Sequence, residues 1–172
     1  ALEYLDSQFV AAGAGGAVCT SPDGITWTPR SSGTYADITT ICYGNGTFVA
    51  TGPNGTLQHF ILTSSDGKSW MAQQSPKFRP ITFNGNQFIG LTDTIIAISS
   101  DGKTWDSAGT LPRKNIASVA FGNGMYVTAS PGDYVYRSTD LKSWEGGSLD
   151  NIDASEFYGV AYGNNRFAAV GY

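Results

Sequence analysis

The sequence predicts an all-β chain: a β-propeller of four-stranded antiparallel blades, about four of them full and a fifth partial. Three observations lead there. A box ending in tryptophan occurs four times, as SPDGITW (Ser21–Trp27), SSDGKSW (Ser64–Trp70), SSDGKTW (Ser99–Trp105) and STDLKSW (Ser138–Trp144), and these boxes hold all 4 tryptophans of the chain. Their aspartates, Asp23, Asp66, Asp101 and Asp140, are 43, 35 and 39 residues apart. Upstream of each box, and once more near residue 167, a turn rich in Gly, Asn, Asp or Ser leads into an aromatic followed by small apolar residues, with the aromatic at Phe9, Phe48, Phe88, Tyr126 and Phe167. Four short strands per period of roughly 40 residues is the pattern of a propeller blade.

The second unit shows the elements in order. Ile38–Gly44 reads as strand A, Gly-Asn-Gly as a tight turn, and Thr47–Gly52 as strand B. His59–Ser64 is strand C, the box is the C–D turn, and Ser69–Gln74 is strand D. The runs are short, rich in β-branched and aromatic residues, and bounded by Gly, Asn, Asp and Pro. None keeps a 3.6-residue period long enough for a helix. The repeat units fall near 1–36, 37–78, 79–114, 115–156 and a partial 157–172, within one domain. Setting Phe9 on Phe48 places Ala1 opposite Thr40, so the first unit starts partway along strand A; the last ends after FAAVGY, without strands C and D or a box. Three expectations follow: an excerpt of a longer array, a reduced fifth blade, or open edges that pair with another subunit.

Each box has a physical task. Asp-Gly supplies the positive φ that a tight C–D turn needs. The carboxylate accepts hydrogen bonds from turn N–H groups, and the leading Ser adds another. The Trp is expected on strand D, covering the gap between blades with roughly 200 Å² of buried surface. Asp23, Trp27, Asp66, Trp70, Asp101, Trp105, Asp140 and Trp144 therefore read as structural residues. In the fourth box Leu141 replaces the glycine, and a different turn is expected there.

The boxes resemble the Asp-box, or bacterial neuraminidase repeat, whose pattern is Ser-x-Asp-x-Gly-x-Thr-Trp; here it is one residue shorter. The resemblance runs blade by blade along nearly the whole chain. It implies a propeller with the boxes on the rim, away from the active or binding site. Sialidases, sortilin-type receptors, photosystem assembly factors and lectins share the box, so it implies no single function.

Composition narrows the classes. Charged residues make up 14 % and hydrophobic ones 41 %, which opposes disorder. A net charge of −4 argues against nucleic acid as partner, and no apolar run nears the roughly 20 residues of a membrane helix. Cys19 and Cys42 lie in strand-like runs at no metal or redox spacing and read as small buried residues. The single histidine, His59, has no ligand or triad pattern around it, so no metal, cofactor or Ser-His-Asp chemistry is expected. The sequons at Asn45 and Asn54 coincide with turns.

Propeller topology puts the B–C and D–A loops on the face opposite the boxes. By composition the D–A loops run over Thr28–Asp37, Ala72–Pro80, Ser107–Asn115 and Glu145–Phe157. Three carry an arginine (Arg30, Arg79 and Arg113), with Lys77 and Lys114 beside two of them and Tyr35 and Phe78 as aromatic surface. The fourth is acidic, with Asp150, Asp153 and Glu156. Guanidinium groups pair well with carboxylate or sulfate. The candidate ligand-binding set is thus Arg30, Tyr35, Phe78, Arg79, Arg113 and Lys114. The function expected is a non-catalytic recognition module outside the cytoplasm, at the cell surface, secreted or periplasmic, that binds a glycan or a protein, with an anionic ligand favoured. One alternative is a structural subunit of a surface appendage, fibre or phage tail that self-associates through open strand edges. The other is a sialidase-like hydrolase, with Tyr35 as nucleophile beside Asp37 or Glu156.

Overall fold

Local turn chemistry starts the A–B hairpins of the second, fourth and fifth units. Asn45 and Gly46 take φ of 46° and 74°, Asn123 and Gly124 take 49° and 72°, and Asn164 and Asn165 take 49° and 58°. Two successive positive-φ residues make the turn whose twist matches antiparallel strands. A computed structural model describes the chain apart from Asp6, residues 53–58, residues 76–80, Asp133, residues 149–155 and Tyr172.

The first sheet holds β1 (Leu2–Leu5), β2 (Gln8–Ala12), β3 (Val18–Ser21) and β4 (Thr28–Arg30). The second holds β5 (Thr40–Gly44), β6 (Thr47–Gly52), β7 (His59–Ser64) and β8 (Met71–Ser75). The third holds β9 (Ile81–Phe83), β10 (Phe88–Leu91), β11 (Ile95–Ser99) and β12 (Asp106–Thr110), and the fourth β13 (Ser118–Gly122), β14 (Met125–Ser130), β15 (Tyr134–Ser138) and β16 (Glu145–Ser148). β17 (Phe157–Gly163) and β18 (Arg166–Gly171) form a two-stranded fifth sheet. Each sheet is an antiparallel meander in chain order, and the inner strands lie side by side, β1 against β5, β5 against β9, β9 against β13, β13 against β17. This is a β-propeller arc. The only helical geometry among the described residues is a 3-10 turn at Ala14–Gly16.

The core lies between sheets rather than within one. Strand alternation sends Phe48 and Ala50 toward Val10 and Val18 of the first sheet, while Val49 and Ile61 face Phe88 and Ala97 of the third. Ile89, Leu91 and Ile96 then meet Val119, Tyr126 and Leu141 of the fourth. An inner sheet is thus buried on both faces, and Val49, Ile61, Leu62, Phe88 and Ile89 are all 0 % exposed.

Three expectations are corrected. Every box Trp sits one residue before strand D, not on it, since β4, β8, β12 and β16 begin at Thr28, Met71, Asp106 and Glu145. In three boxes the indole N–H, of Trp27, Trp70 and Trp105, donates back to the carbonyl of Gly24, Gly67 and Gly102, tying the Trp to the turn; Trp144 takes the same place without that bond. Second, the D–A loops are shorter than composition suggests. Thr28–Arg30, Ala72–Ser75, Ser107–Thr110 and Glu145–Ser148 belong to outer strands that pair on one side and lack apolar alternation. Third, the fourth box keeps the turn of the others. Leu141 adopts φ 64°, and Ser138 Oγ still accepts from Leu141 N at 2.9 Å.

Candidate functional site

The loop face is organised at the first sheet by side chains that substitute for backbone pairing. Ser32, 3 % exposed, donates its hydroxyl to the Gly16 carbonyl at 2.7 Å. Asp37 Oδ1 accepts from Gly15 N at 2.8 Å, and Ile38 N donates to the Gly13 carbonyl at 2.9 Å. These bonds lock the loop after β4 onto the loop between β2 and β3. At its tip stands Tyr35, 96 % exposed. An aromatic carried on a loop whose backbone is already ordered is a ready contact surface, because binding there costs little further backbone entropy.

Arg30 ends β4, and its Nε donates to Thr20 Oγ1 at 3.0 Å, so this guanidinium is partly engaged in its own sheet. Arg113 lies in the segment between β12 and β13, exposed, with its Cζ 3.8 Å from the centre of the Tyr134 ring. Tyr134 in turn lies parallel to Tyr136, at 6.2 Å and 9°. A cation resting on an aromatic face keeps its edge N–H donors available while its plane is fixed. Lys114 is exposed next to it. Phe78, Arg79 and Lys77, with Asp150 and Asp153, lie outside the described residues. The structure brings Arg113 together with Tyr134 and seats Arg30 on Thr20; it does not join Arg30, Tyr35 and Arg113 into one contact.

Tyr134 and Tyr136 are the contributors that sequence reasoning missed. Their signal is the Tyr-Val-Tyr alternation, which puts both rings on one face of β15. The Tyr35, Asp37 and Glu156 trio of the hydrolase alternative is not joined by hydrogen bonds among the described residues: Asp37 Oδ1 accepts from Gly15 N, and no bond links Tyr35 to either carboxylate.

The box face is built differently. Asp23 Oδ1 accepts from Ile25 N and Thr26 N at 2.8 and 2.7 Å and from the Ser21 hydroxyl at 2.9 Å. Asp66, Asp101 and Asp140 repeat the pattern with the N–H groups two and three residues on. Those donors, the one three residues on foremost, hold the carboxyls of Asp23, Asp101 and Asp140 down at about 2 and that of Asp66 below its ordinary value. One oxygen of each box carboxylate is thus taken up by its own turn. Two recesses open on this face, about 290 Å³ beside Trp70 and Lys103 and about 340 Å³ beside Arg137 and Glu145. They occupy the same place on the second and fourth sheets, so the repeat itself produces them.

Both cysteines are free thiols. Burial, with the Glu3 charge second, pushes the Cys42 thiol up to about 12, and burial also raises the Glu3 carboxyl.

Comparison with known proteins bears on the fold. No protein-family model matches, and no curated protein matches. Among solved structures, a YCF48 bound to D1 peptide is 17 % identical with a TM-score of 0.74, covering 99 % of this chain and 59 % of that one. The WD40 β-propeller domain of Doa1 is 12 % identical with a TM-score of 0.69, covering 96 % and 59 %. A nidogen/laminin complex gives 10 %, 0.75, 97 % and 68 %. The chain is similar to these propellers in fold, and it spans about three fifths of the length of the YCF48 chain.

Proposed function

We propose that this chain is a non-catalytic recognition module that takes an extended acidic protein segment on its loop face. The observation that carries the reading is the exposed Arg113 guanidinium laid over Tyr134, with Lys114 beside it. Tyr35 supplies a second anchor on a bonded loop. The structures of similar fold that are named as bound to D1 peptide and as a nidogen/laminin complex support a protein partner over a glycan. The boxes support reading the chain as an Asp-box propeller, and action outside the cytoplasm is part of the same proposal.

The test is fluorescence anisotropy with a labelled Glu-rich peptide and its Gln counterpart. Arg113→Ala is expected to weaken the Glu peptide about tenfold or more, on the order of 1–3 kcal/mol, and to leave the Gln peptide unchanged. Equal affinity for both peptides, or selective capture of acidic sugars on a glycan array, sinks the reading and favours the lectin-like one. Turnover of a fluorogenic sialoside would instead establish the hydrolase.

A further inference from the structure

The recess beside Trp70 on the box face is made by the repeat, but its lining is particular to the boundary between the second and third sheets. In the first sheet, Gln8 stands where Thr47 stands in the second, opposite the end of the inner strand. Gln8 reaches across the boundary and donates from Nε2 to the carbonyl of Asp66, in the next box, at 3.0 Å. Thr47 is too short for that reach, and about 290 Å³ stays open beside it. The walls are fixed all the same. Gln73 Nε2 donates to the carbonyl of Lys103 at 2.8 Å, and Asn45 Nδ2 donates to that of Ser100 at 2.9 Å, so the third box is tied to the second sheet.

The lining combines an apolar wall with donors that the fold leaves unused. Trp70, half-buried, and Met71, 68 % exposed, form the wall. Thr63 lines the recess although it is only 5 % exposed, and its hydroxyl has no hydrogen-bond partner among the described residues. A hydroxyl so nearly buried is ordinarily paired. The hydroxyl of Ser64 is used by its own turn, whereas those of Ser65 and Ser69 are not. Lys103 adds an ammonium that forms no ion pair among the described residues, and no carboxylate lines the recess. The fourth sheet shows the contrast. There Arg137 takes the place of Thr63 and Glu145 that of Met71, and the two close on each other at 3.1 Å. That recess is balanced in charge by the protein itself; the one beside Trp70 is not.

We infer that this recess binds a small carboxylate carried on a flat apolar ring, the ring against Trp70 and Met71 and the carboxylate on Lys103 and the Thr63 hydroxyl. A carboxylate accepts and cannot donate, which suits a lining of hydroxyl and ammonium donors with no acid among them. A flat ring suits an indole, which takes other rings in offset or tilted contact. The volume is at the low end for small-molecule sites, so the occupant is a single ring rather than a run of residues. The recess lies on the box face, not on the loop face that carries Arg113, and stands apart from the recognition reading.

Methionine-methyl NMR tests it, because one of the 2 methionines lines this recess and the other, Met125, lines its counterpart on the fourth sheet. The intact chain, isotope-labelled at both methyls, is titrated with benzoate, with benzamide as the uncharged match and acetate as the anion without a ring. Met125→Leu assigns the two signals. Benzoate is expected to move the Met71 signal to saturation with a Kd of about 1 mM, the range open to a one-ring ligand, and to leave Met125 in place. Benzamide and acetate are each expected to bind at least about tenfold more weakly. Lys103→Gln is expected to bring benzoate to the level of benzamide. Thr63→Val is expected to weaken benzoate about threefold or more at an unchanged urea midpoint, since that hydroxyl holds nothing in the fold. Arg113→Ala is expected to change nothing here; a loss of binding in that variant would place the ligand on the loop face and overturn the inference. A Met71 signal that does not saturate, equal affinity for benzoate and benzamide, or Lys103→Gln without effect also overturns it. So does matching movement of both methyl signals, which marks adventitious binding.

Discussion

Each box aspartate satisfies the N–H groups of its own turn, and its low pKa follows from accepting those bonds. The folded value of Asp23, Asp101 and Asp140, about 2, lies below the ordinary 3.8. Stability from these groups is therefore complete above about pH 4 and is lost as pH falls toward about pH 2. Urea midpoints are expected to drop across that window, and Asp101→Asn is expected to flatten the drop. Ser99, 4 % exposed, accepts from Gly102 N at 2.8 Å, so Ser99→Ala strands a buried donor. A loss of about 1–2 kcal/mol is expected from chemical denaturation. At the same scale, a thiol reagent is expected to label half-buried Cys19 well before buried Cys42. Faster labelling of Cys42 would contradict the burial that raises its pKa.

At the scale of the element, the C–D hairpin and the sheet before it are one unit. Gly102 takes φ 73° and leaves no room for a Cβ against Val49. Gly102→Ala is expected to cost about 2 kcal/mol, from backbone strain and the clash together. Leu141 shows the other solution. It accepts the strained φ and, 4 % exposed, sends its side chain into the core between the third and fourth sheets. Leu141→Gly relieves roughly 1 kcal/mol of strain but removes a buried side chain worth about 2–5 kcal/mol, so the net change is expected to be destabilising. The fourth box differs in one further respect: the Trp144 indole N–H is buried without a protein partner. The Ser-x-Asp turn was legible because its bonds reach only two or three residues along the chain. The seat of the Trp before strand D was not, since the short polar outer strand shows no alternation.

For the whole molecule, burial is uneven along the arc. The second and third sheets are covered on both faces, while the fifth is largely exposed on β18. Native-state hydrogen exchange is expected to protect β6, β7 and β10 most and β17–β18 least, since each sheet is stabilised through its neighbours. Uniform protection would mean that the sheets do not stack as described. The loop face was legible as charge but not as geometry. Arg30 ends β4 and is drawn to Thr20, whereas Arg113 lies beyond the end of β12 and rests on Tyr134. Those partners stand 10 and 21 residues away in sequence, beyond the two- or three-residue reach of a turn's own bonds.

The repeat period, the Asn-Gly and Asp-Gly turns and the two-residue alternation were enough, by themselves, to determine four-stranded sheets arranged as a propeller. Each of these is a short-range effect: a positive φ, a carboxylate within reach of its own turn, an apolar face every second residue. Which aromatic fills which glycine, and which guanidinium is held and which is offered, were decided only when the sheets packed. Such contacts join residues on different strands or different sheets, and their free energy depends on the space those elements leave rather than on the order of residues within one.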